Sequence, residues 1–296
     1  MNKTHDFLEE ILWTQWREQY TLFAILDCAQ IEDESVVRSL LALNSHLRKP
    51  LFQNTPDEGL SSVEPFLLDV LHPSLPHLMP WLLAQEQTRP MVLWLASRQP
   101  LEPLQEHLRS LLRVDLPNAP HSLLRFYDPR VMKKMMTVLD PVQKASFFKA
   151  VGCWWFWDMP AGQRHAWAAT QDMPQAATVL AFSEQQMQQF GQLDLADFAQ
   201  SVQRDLLQNP AHFRHVQGLS AEALGQHIDA HIQTAMTHGL ETEEAAKTYL
   251  HCVAGVLGWN FQQDGNHPGA MAILSREHSD EDTKLAQLQA YCAQHA

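Results

Sequence analysis

The fold class is decided by one stretch, residues 91–112, which reads MVLWLASRQPLEPLQEHLRSLL. Its first six residues are apolar and lie between Pro90 and Ser97, a pattern typical of a buried strand. From Leu101 onward, leucines recur at helical spacing and mark one face of an amphipathic helix. A buried strand followed directly by such a helix predicts an α/β arrangement.

The same alternation extends to both sides of this stretch, and residues 162–182 fit either a hairpin or edge strands. Strands that alternate with helices of about ten residues predict a mixed sheet, in part parallel, with flanking helices. The predicted strands are Tyr20–Asp27, Pro50–Gln53, Phe66–Leu71, Met91–Ala96, Ser122–Tyr127 and Gly152–Asp158, and the predicted helices are Glu34–Leu47, Leu75–Gln85, Leu101–Leu112 and one that begins near Arg130.

The character of the sequence changes at Ser183, where Gln-rich helical stretches replace strands. Apolar residues recur every four positions from Leu224 to Met236, and an acidic helix is predicted at Asp280–Ala293. We therefore expect an α/β lobe over residues 1–182 and an all-α lobe over residues 183–296.

Composition and charge exclude several classes of protein. The 296 residues are 45% apolar and 19% charged, which is typical of a globular chain with a core. The net charge of -13 disfavours binding to nucleic acid or to an anionic membrane surface, since both partners attract Lys and Arg. The N-terminus has no secretory signal pattern, and no apolar run approaches the length of a membrane span. Four cysteines without CxxC spacing predict reduced thiols in a cytoplasmic protein.

Motifs that carry chemistry are missing from the sequence. Neither phosphate-binding glycine loop occurs, and the GxSxG nucleophile elbow is lacking. Cys28 follows a predicted strand, but its neighbour Asp27 would raise the pKa of the thiol. His227 and His231 have the spacing of a metal pair, yet they lack the Glu of HExxH and flank an apolar helix stripe. We therefore expect no catalytic residue, no cofactor and no metal.

Basic residues concentrate between positions 125 and 149 of this acidic chain. Asp128 is predicted to cap the helix that begins near Arg130. A cation at a helix N-terminus gains nothing from the helix dipole. Arg130, with Lys133 and Lys134 one turn on, is therefore predicted to attract either an outside anion or an acid of the helical lobe.

Aromatic residues crowd the predicted strand at residues 152–158 and place rings on both of its faces. They form core if the sheet is covered on both sides, and a partner site if one face is open. The candidate partner-binding residues are Arg125, Tyr127, Arg130, Lys133, Lys134, Trp154, Trp155 and Trp157.

Two long runs resemble a bacterial family, the adaptor chaperones of type VI secretion effectors, often called Tap or Tec proteins. They are YTLFAILDCA at residues 20–29 and LLRFYDPRVMKKMMTVLDPVQKASFFKAVGCWWFW at residues 123–157. The most specific part is LRFYDPRV, followed by the FF at residues 147–148. The resemblance covers about residues 18–158, with a weaker one at residues 238–261.

The resemblance implies a cytoplasmic, non-catalytic protein without a cofactor. Its partners would be a cognate effector and the spike-tip protein of the secretion machine, onto which it promotes loading of the effector. Two other classes stay open: an enzyme on an α/β scaffold with an unrecognised site, and an interaction protein of another pathway. A deep cleft lined by groups with shifted pKa values would favour the enzyme.

Overall fold

The structure is a computed structural model that describes residues 20–33, 39, 42–59, 64–276 and 278–295. The chain divides into two compact units, Met1–Phe190 and Gly191–Ala296. The predicted fold class is confirmed, because a sheet with flanking helices is followed by a helical region.

The first unit is built from a six-stranded sheet, a separate hairpin and helices. Its strands are β1 (Thr21–Asp27), β2 (Arg48–Pro50), β3 (Pro65–Asp69), β4 (Val92–Ser97), β5 (Arg113–Leu116), β6 (Ala119–Leu123), β7 (Cys153–Asp158) and β8 (Gln163–Ala168). Its helices are α1 (Leu78–Gln85), α2 (Leu101–Ser110), α3 (Pro129–Val138) and α4 (Pro141–Phe148). Strands β5 and β6 form the hairpin.

The large sheet has the order β2-β3-β1-β4-β7-β8, and every neighbouring pair is antiparallel. The expectation of parallel neighbours is therefore wrong. Helix α1 does connect two strands that run the same way, β3 and β4, as a helical crossover should. Strand β1 lies between them and pairs with both. The alternation of strands and helices in a sequence predicts the helical crossover. It does not predict which strand lies between the two strands that the helix connects.

Both faces of this sheet are covered, which explains why its central strands are apolar at nearly every position. In β1, Phe23 and Ile25 join one apolar cluster, whereas Ala24 and Leu26 join the cluster on the opposite face. Successive side chains of a strand point to opposite faces, so a strand buried on both sides needs no polar alternation.

The predicted strand Ser122–Tyr127 is wrong in its second half, since β6 ends two residues into it. There the chain turns, with the N–H of Asp128 donating to the carbonyl of Arg125 over 3.0 Å. The turn buries Phe126 and Tyr127 together against the same apolar cluster. Consecutive residues of a strand could not do this, because they face opposite sides.

Three other predicted elements differ from the structure or lie beyond it. Half of the helix predicted at Glu34–Leu47 lies outside the described residues, and its last part is wrong, because residues 42–47 form turns and bends before β2. The strand predicted at Pro50–Gln53 shares only Pro50 with β2. In the ambiguous stretch, β8 pairs with β7, whereas residues 177–182 are irregular apart from one bridge to the hairpin.

Aspartates begin both helices of the segment that leads to β7. The side chain of Asp128 accepts the N–H of Arg130 at the start of α3, which confirms the predicted cap. Asp140 forms a capping box with Gln143 at the start of α4. A proline follows each cap, at a helix position that needs no N–H donor.

Helices are the regular elements of the second unit in the part that the structure describes. After α5 (Glu184–Gln208), which begins in the first unit, its helices are α6 (Ala221–Thr237), α7 (Glu243–Cys252), α8 (Phe261–Asp264), α9 (Pro268–Leu274) and α10 (Glu281–His295). A π-helical turn, Val253–Leu257, continues α7. The apolar stripe of α6 buries Leu224, Ile228 and Ile232 in one cluster with Tyr249 of α7. None of the helices described has the length and apolar character needed to cross a bilayer.

Candidate partner-binding site

A buried ion pair joins the end of β1 to the turn before α3. Asp27 is fully buried, and its carboxylate accepts the N–H of Ala29 and the Arg125 guanidinium, each over 3.1 Å. Burial raises the pKa of Asp27, although Arg125 acts in the opposite direction. A buried carboxylate is costly unless it is paired, so Asp27 and Arg125 depend on each other.

Asp128 holds the first cation of α3. Its carboxylate accepts the backbone N–H of Arg130 over 2.9 Å and the Nε and Nη2 of the same residue over 3.0 and 2.7 Å. Arg130 therefore neutralises the carboxylate that caps its own helix. The sequence had led us to expect that a cation at this position attracts an outside anion or an acid of the helical lobe. Neither is needed to explain it.

Lys133 pairs within the first unit as well. Its Nζ lies 2.7 Å from the carboxylate of Asp158 at the end of β7, and the Nε2 of His165 lies 3.1 Å from the same oxygen. Burial would raise the pKa of Asp158, but Lys133 and His165 outweigh it and lower that pKa. Lys134, the next residue, is half-buried.

Tyr127 is a core residue rather than a surface contact. Its ring meets Phe52 and Phe126 edge-on, at centroid distances of 6.2 and 6.0 Å. The Arg125 guanidinium lies 5.8 Å from the ring. Burial raises the pKa of the phenol to about 12, with the Asp27 charge adding to the effect.

The tryptophans of β7 divide between core and surface. Trp154 and Trp155 are 0% and 3% exposed and belong to the apolar clusters on opposite faces of the sheet. Trp154 also donates its Nε1–H to the carbonyl of Phe147 over 3.3 Å. A partner could reach neither ring without opening the core. Trp157 is half-buried, with the Arg164 guanidinium 5.9 Å from its ring.

What remains accessible is a surface that we call the α3 cationic face, defined by Arg125, Arg130 and Lys133. Their side chains are 43%, 57% and 39% exposed, whereas the acids that pair with them are at most 4% exposed. The positive groups therefore lie outermost and cover the negative ones. A partner would contact guanidinium and ammonium groups whose positions are fixed by the buried acids beneath them.

The sequence pointed to these cations and to Asp128, but it missed Asp27 and Asp158 as the acids that hold the other two. Arg125 and Asp27 are 98 residues apart in the chain, so no local pattern connects them. One signal was present: Asp27 and Asp158 each end an apolar strand. A carboxylate at the end of a buried strand needs a nearby cation.

A second buried acid was also missed. Glu86, 1% exposed at the end of α1, accepts the Trp94 indole N–H over 2.7 Å and a guanidinium N–H of Arg164 over 3.0 Å. The contact between Glu86 and Arg164 connects β8 to the face of the sheet that α1 covers.

The histidine pair on α6 has protein partners instead of an open position for a metal. The Nδ1 of His231 lies 2.9 Å from the Tyr249 hydroxyl, and its Nε2 lies 2.7 Å from the Trp259 carbonyl. His227 stacks on the Trp259 ring at 5.1 Å. Within the described ranges, no group of three or more His, Cys, Asp or Glu side chains is placed to hold a metal ion.

Two cavities of about 270 and 250 Å³ lie in the second unit beside α7 and α10, and Thr248 and Gln289 line both of them. Three first-unit groups with shifted pKa values, Asp27, Tyr127 and Asp158, line neither cavity. The cavity of about 270 Å³ is lined by second-unit groups with shifted pKa values, namely His251, Cys252 and Cys292. Asp27 and Asp158 form ion pairs beneath exposed cations of the first unit.

Comparison with known proteins adds one finding. Residues 22–146 match a family described as a domain of unknown function, DUF4123. The match runs from β1 into α4 and includes Asp27, Asp128 and the α3 cationic face. It covers a little under half of the chain. No curated protein and no solved structure matches the chain significantly.

Proposed function

We propose that this chain is a non-catalytic, cytoplasmic adaptor that binds a cognate type VI secretion effector and promotes its loading onto the spike-tip protein. The observation that carries the proposal is the match of residues 22–146 to DUF4123, a family commonly linked to this role. The sequence resemblance at residues 123–157 overlaps that match and supports the same role.

Within this proposal, the α3 cationic face is the surface that contacts the partner. Its cations are already held by buried acids, so little side-chain freedom is lost when a partner binds. Its charges lie outermost, so they would steer an acidic segment of the partner toward the adaptor. The contact would weaken as salt is added, because exposed charges are screened over about 10 Å at 0.1 M salt.

Co-purification tests the proposal. The tagged chain is co-expressed in turn with each type VI effector and each spike-tip protein encoded in the source organism. We expect one effector to co-purify with the chain at a defined stoichiometry, and the spike-tip protein to join that complex. If neither class of protein co-purifies with the folded chain, the proposed function is wrong.

The role of the α3 cationic face needs substitutions that leave the fold intact. A reversal such as K133E would place two carboxylates together at Asp158, so neutral R130Q and K133Q are the better variants. R204Q is the matched control, because Arg204 is exposed and has no ion pair within the described ranges. We expect R130Q with K133Q to weaken effector binding about tenfold when binding is measured well below the melting temperature of the variant, which should fall because Asp128 and Asp158 lose their cations. Unchanged binding would remove this face from the interface.

A further inference from the structure

Two of the four cysteines meet where α7 packs on α10. Cys252 is the last residue of α7, and Cys292 lies in the last turns of α10. Both belong to the apolar core of the second unit, at 8% and 6% exposure. Both residues also line the same cavity, so the two sulfurs are neighbours.

Both thiols line the cavity of about 270 Å³, which the exposed residues His212 and Gln289 border. A small polar oxidant such as a hydroperoxide fits this volume and can reach the sulfurs from solvent. The other two cysteines are placed differently, because Cys28 and Cys153 are buried against the sheet of the first unit. They line neither cavity of the second unit.

The two thiols are not equivalent. The interaction between the two neighbouring thiols raises the pKa of Cys252, with burial adding to the effect, and lowers the pKa of Cys292. Cys292 is therefore the one that ionises more readily, and a thiolate is the nucleophile in thiol chemistry. Cys252 keeps its proton and lies beside it.

The backbone beside Cys252 is also irregular. The π-helical turn Val253–Leu257 follows it directly, and Gly255 of this turn lines the same cavity. A Cβ atom at Gly255 would lie 3.5 Å from the His212 carbonyl oxygen, so a larger residue there would narrow the cavity. Short π-helical segments often occur at functional sites.

We propose that Cys252 and Cys292 form an oxidisable dithiol site, which a hydroperoxide converts to a disulfide between α7 and α10. The Cys292 thiolate attacks the peroxide oxygen and becomes a sulfenic acid, and the peroxide leaves as hydroxide, which takes up a proton to give water. The Cys252 sulfur then attacks the sulfenic sulfur, and a second water leaves as the disulfide forms. Two thiols and one hydrogen peroxide thus give one disulfide and two waters.

This site is separate from the α3 cationic face, and the proposal stands independently of the adaptor role. A metal at the same position is disfavoured, because no third ligand of the described chain is placed to complete the site. The disulfide would tie together positions that lie 40 residues apart in the chain. It would restrict the unfolded state and raise the melting temperature of the oxidised protein by about 5 °C or more.

Intact mass and peptide mapping of the full chain test the proposal. Reduced protein is treated with a few equivalents of hydrogen peroxide, alkylated and digested. We expect the loss of two hydrogens, a peptide pair cross-linked through Cys252 and Cys292, and full reversal by dithiothreitol. C252S should accumulate a sulfenic acid at Cys292 that dimedone labels, whereas C292S should form neither product.

C153S is the matched control, and its cross-linking should equal that of the wild type. The proposal is overturned if the wild-type chain forms no cross-link, or if peroxide links other cysteines first. Equal dimedone labelling of C252S and C292S would refute the assigned roles. If a serine variant fails to fold, dimedone trapping in the wild type during brief peroxide exposure still reports which sulfur reacts.

Discussion

Replacing Arg125 by alanine should destabilise the first unit in a manner that depends on pH. The substitution removes the guanidinium that pairs with Asp27, a carboxylate with no exposure to solvent. The carboxylate must then stay charged in the core or take up a proton. Either outcome costs free energy that the wild-type chain does not lose.

The magnitude follows from the ordinary pKa of 3.8 for an aspartic acid. Protonating such a group at pH 7 costs about 4 kcal/mol, which is the upper limit of the penalty. Arg125 is 43% exposed and its charge is partly screened, so we expect a loss of about 2–3 kcal/mol in the free energy of unfolding.

The pH dependence has a definite sign. The pKa of Asp27 is raised in the folded state and rises further without Arg125, so the folded variant binds the proton more tightly than the unfolded chain. Stability associated with this proton is present below about pH 4 and is lost as the pH rises. The cost of R125A should therefore shrink as the pH falls from 7 toward 5, by at most about 1.4 kcal/mol per pH unit.

Urea unfolding followed by tryptophan fluorescence measures the effect at pH 7 and pH 5. R204A serves as the control, and a cycle with D27N isolates the coupling between the two residues. In the D27N background the Arg125 substitution should cost less than about 1 kcal/mol. A cost of R125A below about 0.5 kcal/mol at pH 7, or an equal cost at both pH values, would refute the ion-pair account.

Three further predictions concern other buried groups. Burial lowers the pKa of His107 to about 4, so folding should weaken by about 2 kcal/mol between pH 6.5 and 5, and H107L should abolish that slope in urea unfolding. K284M removes the ammonium group that donates to the His238 carbonyl over 2.7 Å, and calorimetry should show a loss of about 1–3 kcal/mol in the free energy of unfolding. An unchanged melting temperature would contradict a stabilising role for this hydrogen bond. W154A should cost about 3–5 kcal/mol and half-buried W157A much less; similar losses in urea unfolding would contradict the division of these rings between core and surface.

The strand–helix pattern of the sequence was enough to predict the class of fold. Residues 91–112 do form a buried strand and an amphipathic helix, and the alternation around them is that of a sheet with helices. Hydrophobic periodicity shows which residues of a single strand or helix are buried. It does not report which strand is the neighbour, and β1 between β3 and β4 made the sheet antiparallel.

At Phe126 and Tyr127 the sequence is apolar without polar alternation, and the strand predicted from it there is wrong. An apolar run looks the same whether it is a strand covered on both faces or a turn pressed into the core. The candidate site shows the same limit. Local charge density revealed Arg130 and Lys133, but Asp158 became the neighbour of Lys133 only through the tertiary fold.

The most direct test of the adaptor role is a secretion assay in the source organism. The gene for this chain is deleted, and the cognate effector and the tube protein of the secretion machine are measured in the culture supernatant. We predict that the effector disappears from the supernatant while the tube protein persists, and that the wild-type gene restores effector export. Normal export of every type VI effector in the deletion strain, with this chain absent, would contradict the account.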